Sequence, residues 1–200
     1  MLEGLDGSGT TTQMKLLSER LSREGTAHHA TWEPTGGPVG RLIRTILARS
    51  TPARPHTVAL LFAADRTEHL WEPGTGIVDR IGKGELVVCD RYLFSSLAYQ
   101  SQDCDPGFVR SLNAAFPLPQ LLVFLDTPVR VCQERLERRG SAELYDGFAL
   151  QSRVRAEYLE VIGSFRDIGM RVAVIPGDRP AGIIHGELWN LVSELPIQKV

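Results

Sequence analysis

Gly4-Leu5-Asp6-Gly7-Ser8-Gly9-Thr10-Thr11-Thr12, almost at the start of the chain, is built to hold an anion. Three glycines at this spacing let successive backbone N–H groups turn inward, and a helix beginning behind them aims its positive end at the same charge. Gly4, Leu5, Asp6, Gly7, Ser8, Gly9, Thr10, Thr11 and Thr12 are therefore the candidate cradle for nucleotide phosphates, with Thr11 where a hydroxyl ligates the nucleotide's magnesium. One letter departs from the pattern. Thr10 stands where a lysine normally spans the outer phosphates, and only Lys15, Lys83 and Lys199 among the 22 basic residues are lysines. A glycine-rich turn ahead of an ordinary helix is the plainer alternative for the loop taken alone.

Such a loop needs a strand before it and a helix after it. Only Met1, Leu2 and Glu3 precede Gly4, so the first strand is expected as a stub, unless the natural start lies upstream. Further strands are expected over 27–32, 86–90, 121–126 and 171–175, and helices over 11–24, 38–49, 56–81, 94–102, 106–115, 129–138, 144–167 and 181–194. Leu86-Val87-Val88-Cys89 and Leu121-Leu122-Val123-Phe124-Leu125 are continuous rather than alternating apolar runs, the mark of parallel strands covered on both faces. Both runs lead into aspartates, Asp90 and Asp126, at the strand ends that face a ligand crevice. Asp126 also fits a plainer role as a helix cap, with Pro128 opening the next helix.

Composition narrows the field. With 200 residues, 42% hydrophobic and 23% charged, the chain suits one domain, and a net charge of −2 gives no footprint for a nucleic-acid polymer. Cys89, Cys104 and Cys132 lack metal-ligand spacing and read as reduced thiols, while no apolar run reaches the length of a membrane span. A soluble, cytoplasmic protein that meets small phosphorylated ligands through local charge is the expectation.

Three more strings follow the loop. Glu33-Pro34-Thr35-Gly36-Gly37-Pro38 through Arg44 comes after the second strand, Leu61-Phe62-Ala63-Ala64-Asp65-Arg66-Thr67-Glu68-His69 lies in a helix, and Cys89-Asp90-Arg91-Tyr92 leads into Ser95-Ser96-Leu97-Ala98-Tyr99-Gln100. In order and spacing these resemble the thymidylate kinase family, from Met1 to about residue 159 and more weakly beyond. The resemblance implies an α/β, P-loop NTPase-like three-layer sandwich: one domain over 1–200, a five-stranded parallel sheet with helices on both faces, and a short lid at about 135–147. It implies phosphoryl transfer from ATP with Mg2+ to dTMP, giving dTDP for dTTP biosynthesis, with no membrane or nucleic acid as partner and a homodimer as the assembly.

By the same resemblance Thr11 and Asp90 are the metal-binding residues. Asp6 and Arg91 are catalytic, and Glu33, Pro34, Arg44, Phe62, Arg66, Arg91, Ser95, Ser96, Tyr99 and Gln100 bind the acceptor. The chemistry agrees, because transfer between polyanions needs positioning and positive charge more than covalent help. Phe62 and Arg66, four apart, can present a stacking ring and a guanidinium from one helical face, as can Ser96 and Gln100 their polar groups. Spacing alone leaves core packing equally open for Phe62. Tyr99 resembles the ring that crowds a ribose 2′-hydroxyl, Arg44 a clamp on the acceptor phosphate, and His69 is expected to be structural. Lys15 is expected to face solvent.

The absent lysine leaves a charge deficit. Arg135, Arg138 and Arg139 form a dense positive stretch where the family carries an arginine-bearing lid, so Arg138 and Arg139 are the expected catalytic replacements, with Arg153 second. A solvated helix end is the plainer reading of that stretch. Two other functions stay open: another nucleotide or deoxynucleoside kinase on the same scaffold, and a nucleotide-binding pseudoenzyme. A panel of monophosphates assayed with Mg-ATP separates them.

Overall fold

The uninterrupted apolar runs form the interior of a parallel sheet, as their composition requires. In the computed structural model, residues 1–140 and 144–196 are described, Arg139 by its backbone alone. The chain runs β1 (Leu2–Gly4), α1 (Thr10–Arg23), β2 (His28–Trp32), α2 (Pro38–Leu47), α3 (Pro55–Trp71), α4 (Ile77–Gly82), β3 (Leu86–Asp90) and α5 (Leu93–Tyr99). It continues through a 3-10 turn at Gln100–Gln102, then α6 (Pro106–Asn113), β4 (Leu122–Asp126), α7 (Val129–Arg139), α8 (Phe148–Asp167), β5 (Val172–Pro176) and α9 (Ala181–Ser193). The five strands are parallel in the order β2-β3-β1-β4-β5.

Residue alternation along β4 builds both cores. Leu122 and Phe124 join Phe94 of α5 and Tyr158 and Val161 of α8 on one face, whereas Val123 and Leu125 join Met14, Leu17 and Leu188 of α1 and α9 on the other. Each such fully buried side chain contributes about 1.5–3 kcal/mol of transfer free energy. Helices on both faces are the reason the run does not alternate with polar residues. Among the described residues, no helix is long and apolar enough to cross a membrane.

The first strand is the expected stub of three residues, and it is nonetheless paired on both sides. Arg91 donates its backbone N–H to the Leu2 carbonyl (2.8 Å) and Val123 donates to the Met1 carbonyl (2.9 Å). Because β1 lies between β3 and β4, the turns that follow these three strands open on one edge of the sheet.

Two expectations need correction. The helix expected over 56–81 is two helices, since Pro73 forces Glu72 out of the helical region (ψ 120) and the chain turns through Gly74 and Gly76. Asp126 is no helix cap. It is still in β4, opposite Pro176, and its carboxylate takes a two-pronged ion pair from Arg155 of α8 (2.7 and 2.8 Å), while Pro128 occupies the cap position of α7. Of the segment expected as a lid, about 135–147, residues 141–143 lie outside the described residues. Where the chain returns after them, Leu144 donates its backbone N–H to the Leu47 carbonyl (2.9 Å) at the end of α2, and Tyr145 lines a cavity together with Asp90 and Arg91.

Candidate active site

The loop from Gly4 to Gly9 is shaped by two glycines at positive φ, Gly7 (83°) and Gly9 (106°). A Cβ on Gly7 would lie 2.7 Å from the Cys132 carbonyl oxygen, so α7 packs directly beneath the loop and only glycine fits. No side chain caps α1 and no acidic residue stands in its first turn. Its first N–H groups are therefore free for an anion. Thr10 is buried and brings no cation.

Beside the loop lies a cavity of about 350 Å³ lined by Gly7, Ser8, Gly9, Thr12, Arg135 and Arg138, with Gly177 and Arg179 on the far side. Arg138 thus lines this cavity. The side chain of Arg139 lies outside the described residues. Arg153 is elsewhere, donating to Gln102 Oε1 at 3.2 Å from an exposed position. On this side, the guanidinium seen bonded to the loop is that of Arg135, one helical turn before Arg138.

On the other side of the loop, Asp90 at the end of β3 accepts a hydrogen bond from Thr11 Oγ1 through Oδ2 (2.7 Å), and its buried Oδ1 has no partner among the described residues. An orphaned carboxylate oxygen next to a hydroxyl fits a hard cation that draws its remaining ligands from phosphate and water, as Mg2+ does. Arg91 follows at φ 71, a left-handed conformation that costs a non-glycine residue about 1–3 kcal/mol and clusters at functional sites. Its guanidinium reaches back to the loop, donating to Asp6 Oδ1 (2.5 Å), the Gly4 carbonyl (3.0 Å) and Ser95 Oγ (3.1 Å). Burial works against the Arg91 charge, but Asp6 first and then Tyr99 and Tyr158 outweigh it and hold the guanidinium well above its ordinary pKa.

Glu3 holds this turn from below. Its buried carboxylate accepts from the backbone N–H groups of Tyr92 (2.7 Å) and Ser95 (3.2 Å) and from the hydroxyls of Ser95 (2.6 Å) and Tyr158 (2.9 Å). Desolvation still dominates and raises its pKa. Glu3 was not among the expected site residues, since a glutamate in a three-residue strand carries no signal of its role.

The second cavity, about 460 Å³, gathers most of the residues expected around the acceptor, and we name it the acceptor cleft on that expectation. Among the expected site residues, Asp6, Thr11, Glu33, Pro34, Arg44, Phe62, Asp90, Arg91, Ser95, Tyr99 and Gln100 line it, together with Lys15, Trp32 and Tyr145, which were not among them. Phe62 belongs to the cleft wall and to neither core cluster. Tyr99 donates its hydroxyl to Asp6 Oδ2 (3.1 Å) and accepts from the Asp6 N–H (3.1 Å), fixing the loop carboxylate against the cleft. Burial, with Asp6 close by, pushes the Tyr99 phenol far up. Arg44 donates to the Pro34 carbonyl (2.5 Å) from the mouth.

Arg66 and Ser96 are not at the cleft surface. Arg66 is 1% exposed and spends its guanidinium on Glu33 Oε2 (2.9 Å), Asn113 Oδ1 (2.5 Å) and Ser96 Oγ (3.1 Å), between the rings of Tyr92 and Phe116. The reason is charge: the buried Glu33 carboxylate needs a partner, and His69, at 3.1 Å from its Oε1, supplies the other side. His69 is thus structural, braced in turn by Thr31 Oγ1 (2.6 Å). Gln151 was missed altogether. Fully buried, it donates to the Tyr145 carbonyl (2.8 Å) and reaches Asp6 Oδ2 at 3.5 Å, tying the returning segment to the loop.

A sequence profile of the thymidylate kinase family matches residues 2–180. The chain belongs to the thymidylate kinase family. Among curated relatives assigned as thymidylate kinases, one from Treponema pallidum (strain Nichols) is 38% identical over 197 residues, covering 97% of this chain and 94% of the relative. One from Aeropyrum pernix is 40% identical over 199 residues, covering 96% and 94%. A solved thymidylate kinase structure from Candida albicans superposes with a TM-score of 0.80 at 25% identity, covering 96% of this chain and 89% of that one. Members of the thymidylate kinase family are nucleoside monophosphate kinases, and in this chain two cavities lie on either side of one glycine-rich loop.

Proposed function

We propose that this chain transfers the terminal phosphoryl group of ATP to dTMP, giving dTDP and ADP. The observation that carries the reading is Arg91. Its guanidinium bonds the loop at Gly4 and Asp6 while its side chain lines the acceptor cleft, so one cation faces both phosphate sites. In the reaction an acceptor phosphate oxygen forms a bond to the γ-phosphorus as the bond to the β-bridging oxygen breaks, and the electron pair leaves with ADP. Charge builds on oxygens between the two sites, where Arg91 and the free N–H groups of α1 are already oriented. Thr11 and Asp90 would hold magnesium beside the donor phosphates, and the ion would supply positive charge that offsets part of this build-up.

Acceptor recognition rests on Phe62 for stacking, Gln100 and Ser95 for polar contacts and Arg44 for the phosphate, with Arg66 and Ser96 stiffening the wall behind. Gln100 Oε1 is buried without a partner among the described residues, which supports a ligand group as its missing donor. Tyr99 and its bond to Asp6 fill the space beside the sugar and favour the deoxy form. The family resemblance adds a homodimer, and three buried free cysteines fit a cytoplasmic setting. A coupled ADP-release assay with Mg-ATP and a panel of nucleoside monophosphates tests the reading: dTMP is the best acceptor and its ribo counterpart clearly worse. A purine or cytidine monophosphate that outperforms dTMP refutes the specificity, and absence of turnover with every acceptor refutes the kinase.

A further inference from the structure

The place of the loop lysine is empty of charge; among the described residues Arg91 is already paired with Asp6, which leaves Lys15, Arg179, Arg138 and Arg135 to be considered. Lys15 is on the wall of the acceptor cleft, the wrong side of the loop. Arg179 is held by Glu187 through two hydrogen bonds (2.6 and 2.8 Å), its charge already matched. Arg138 is exposed on the donor wall with no hydrogen bond among the described residues.

Arg135 differs from all three. Its Nη1 donates to the carbonyls of Gly7 (3.2 Å) and Ser8 (3.0 Å), and its Nη2 donates to the carbonyl of Gly177 (3.1 Å) in the turn between β5 and α9. All three acceptors are neutral, and among the described residues no carboxylate pairs with it. Of its five N–H groups, those three bonds leave Nε and one on Nη2 without a partner among the described residues. A half-buried guanidinium fixed by carbonyls and lacking a counter-charge is poised for an anion.

The packing around it is tight enough to hold the arrangement. Thr127 Oγ1 donates to the same Ser8 carbonyl (3.1 Å), and a Cβ on Gly177 would lie 1.9 Å from Thr127 Oγ1. Loop, α7 and the β5–α9 turn therefore meet at Arg135, which binds all three.

We infer that Arg135 takes over the work of the absent loop lysine: from outside the loop it fixes the Gly7 and Ser8 carbonyls, so that the loop N–H groups keep facing the donor phosphates, and it supplies the positive charge that Thr10 lacks. The inference rests on the kinase reading above and assigns a binding and positioning residue to its donor side. Arg135→Ala should weaken Mg-ADP binding, measured by calorimetric titration without acceptor, by about tenfold to a hundredfold, the range of one lost charge-assisted hydrogen bond. It should raise the KM for ATP and lower kcat while leaving the KM for dTMP within about twofold. Arg135→Lys keeps the charge without the fork and should fall between Arg135→Ala and the parent, which also carries the test if the alanine variant does not fold. Thr10→Lys should restore Mg-ADP affinity in the Arg135→Ala background by more than it adds to the parent, because both cations serve the same phosphates. Parent-like Mg-ADP affinity in Arg135→Ala, an equal rise in the KM for dTMP, or strict additivity with Thr10→Lys overturns the inference. A parent that binds Mg-ADP yet leaves dTMP unphosphorylated overturns the kinase reading instead.

Discussion

Arg66→Met separates a residue that supports the acceptor wall from one that merely lies near it. The substitution removes the guanidinium from Glu33, Asn113 and Ser96 while keeping a long apolar chain between the Tyr92 and Phe116 rings. Glu33 would then stay 2% exposed with His69 as its remaining ionisable partner. Removing one member of a buried ion pair costs about 3–5 kcal/mol, because the other charge is left desolvated. For a domain of 200 residues each kcal/mol lowers the thermal midpoint by about 2–4 °C, so the midpoint should fall by about 6–20 °C. Neutralising the orphan with Glu33→Gln in the same chain should recover most of that loss, so the two substitutions are strongly non-additive. Thermal and urea unfolding of the parent, both single variants and the double variant provide the measurement, with kcat/KM for dTMP alongside. Because Phe62 shares α3 with Arg66 and Glu33 lines the cleft, kcat/KM should drop together with stability. A midpoint within about 3 °C of the parent, or additive behaviour, would show that the pair carries little of the wall's stability.

Three further outcomes are expected. Arg44→Ala should raise the KM for dTMP with little change in kcat, and an unchanged KM in steady-state kinetics would remove Arg44 from the phosphate site. Tyr99→Phe loses the bond to Asp6 but keeps the ring, so discrimination against the ribonucleotide should persist while kcat falls through Asp6 and Arg91; Tyr99→Ala should lose discrimination too, read as the ratio of kcat/KM for the two acceptors. Burial raises the Glu3 pKa above the ordinary glutamate value of 4.5, so the folded chain holds that proton to higher pH than the unfolded chain does; the associated stability is complete below that value and is lost as pH rises through the folded pKa. Urea midpoints from pH 4.5 upward should decline more in the parent than in Glu3→Gln, and parallel profiles would contradict the assignment.

The residues that announced this fold did so through local rules. Gly7 and Gly9 adopt the positive φ that their loop demands, the continuous run Leu122 to Leu125 became a strand buried on both faces, and Pro38, Pro106 and Ala181 begin helices close to where the pattern placed them. Glycine geometry, two-sided burial and helix periodicity are properties of neighbouring residues, so the sequence alone determined the parallel α/β architecture and the chemistry of the phosphate loop. Where Pro73 breaks the expected long helix the signal was also local, and the apolar periodicity on either side masked it.

Only the tertiary structure decided which cation meets the loop and which groups reach the cleft. Arg135 stands 128 and 127 positions from its partners Gly7 and Ser8, and Arg66 is 33 and 47 positions from Glu33 and Asn113. A dense run of arginines fixes where positive charge lies along the chain, but not which guanidinium a helix turns toward a carbonyl. Phe62 and Arg66 share a helical face in sequence, yet the buried Glu33 carboxylate draws Arg66 inward while Phe62 stays at the cleft. Desolvation makes that choice: an unpaired charge inside the protein costs more than the base contact that spacing suggested, and burial exists only once the chain has packed.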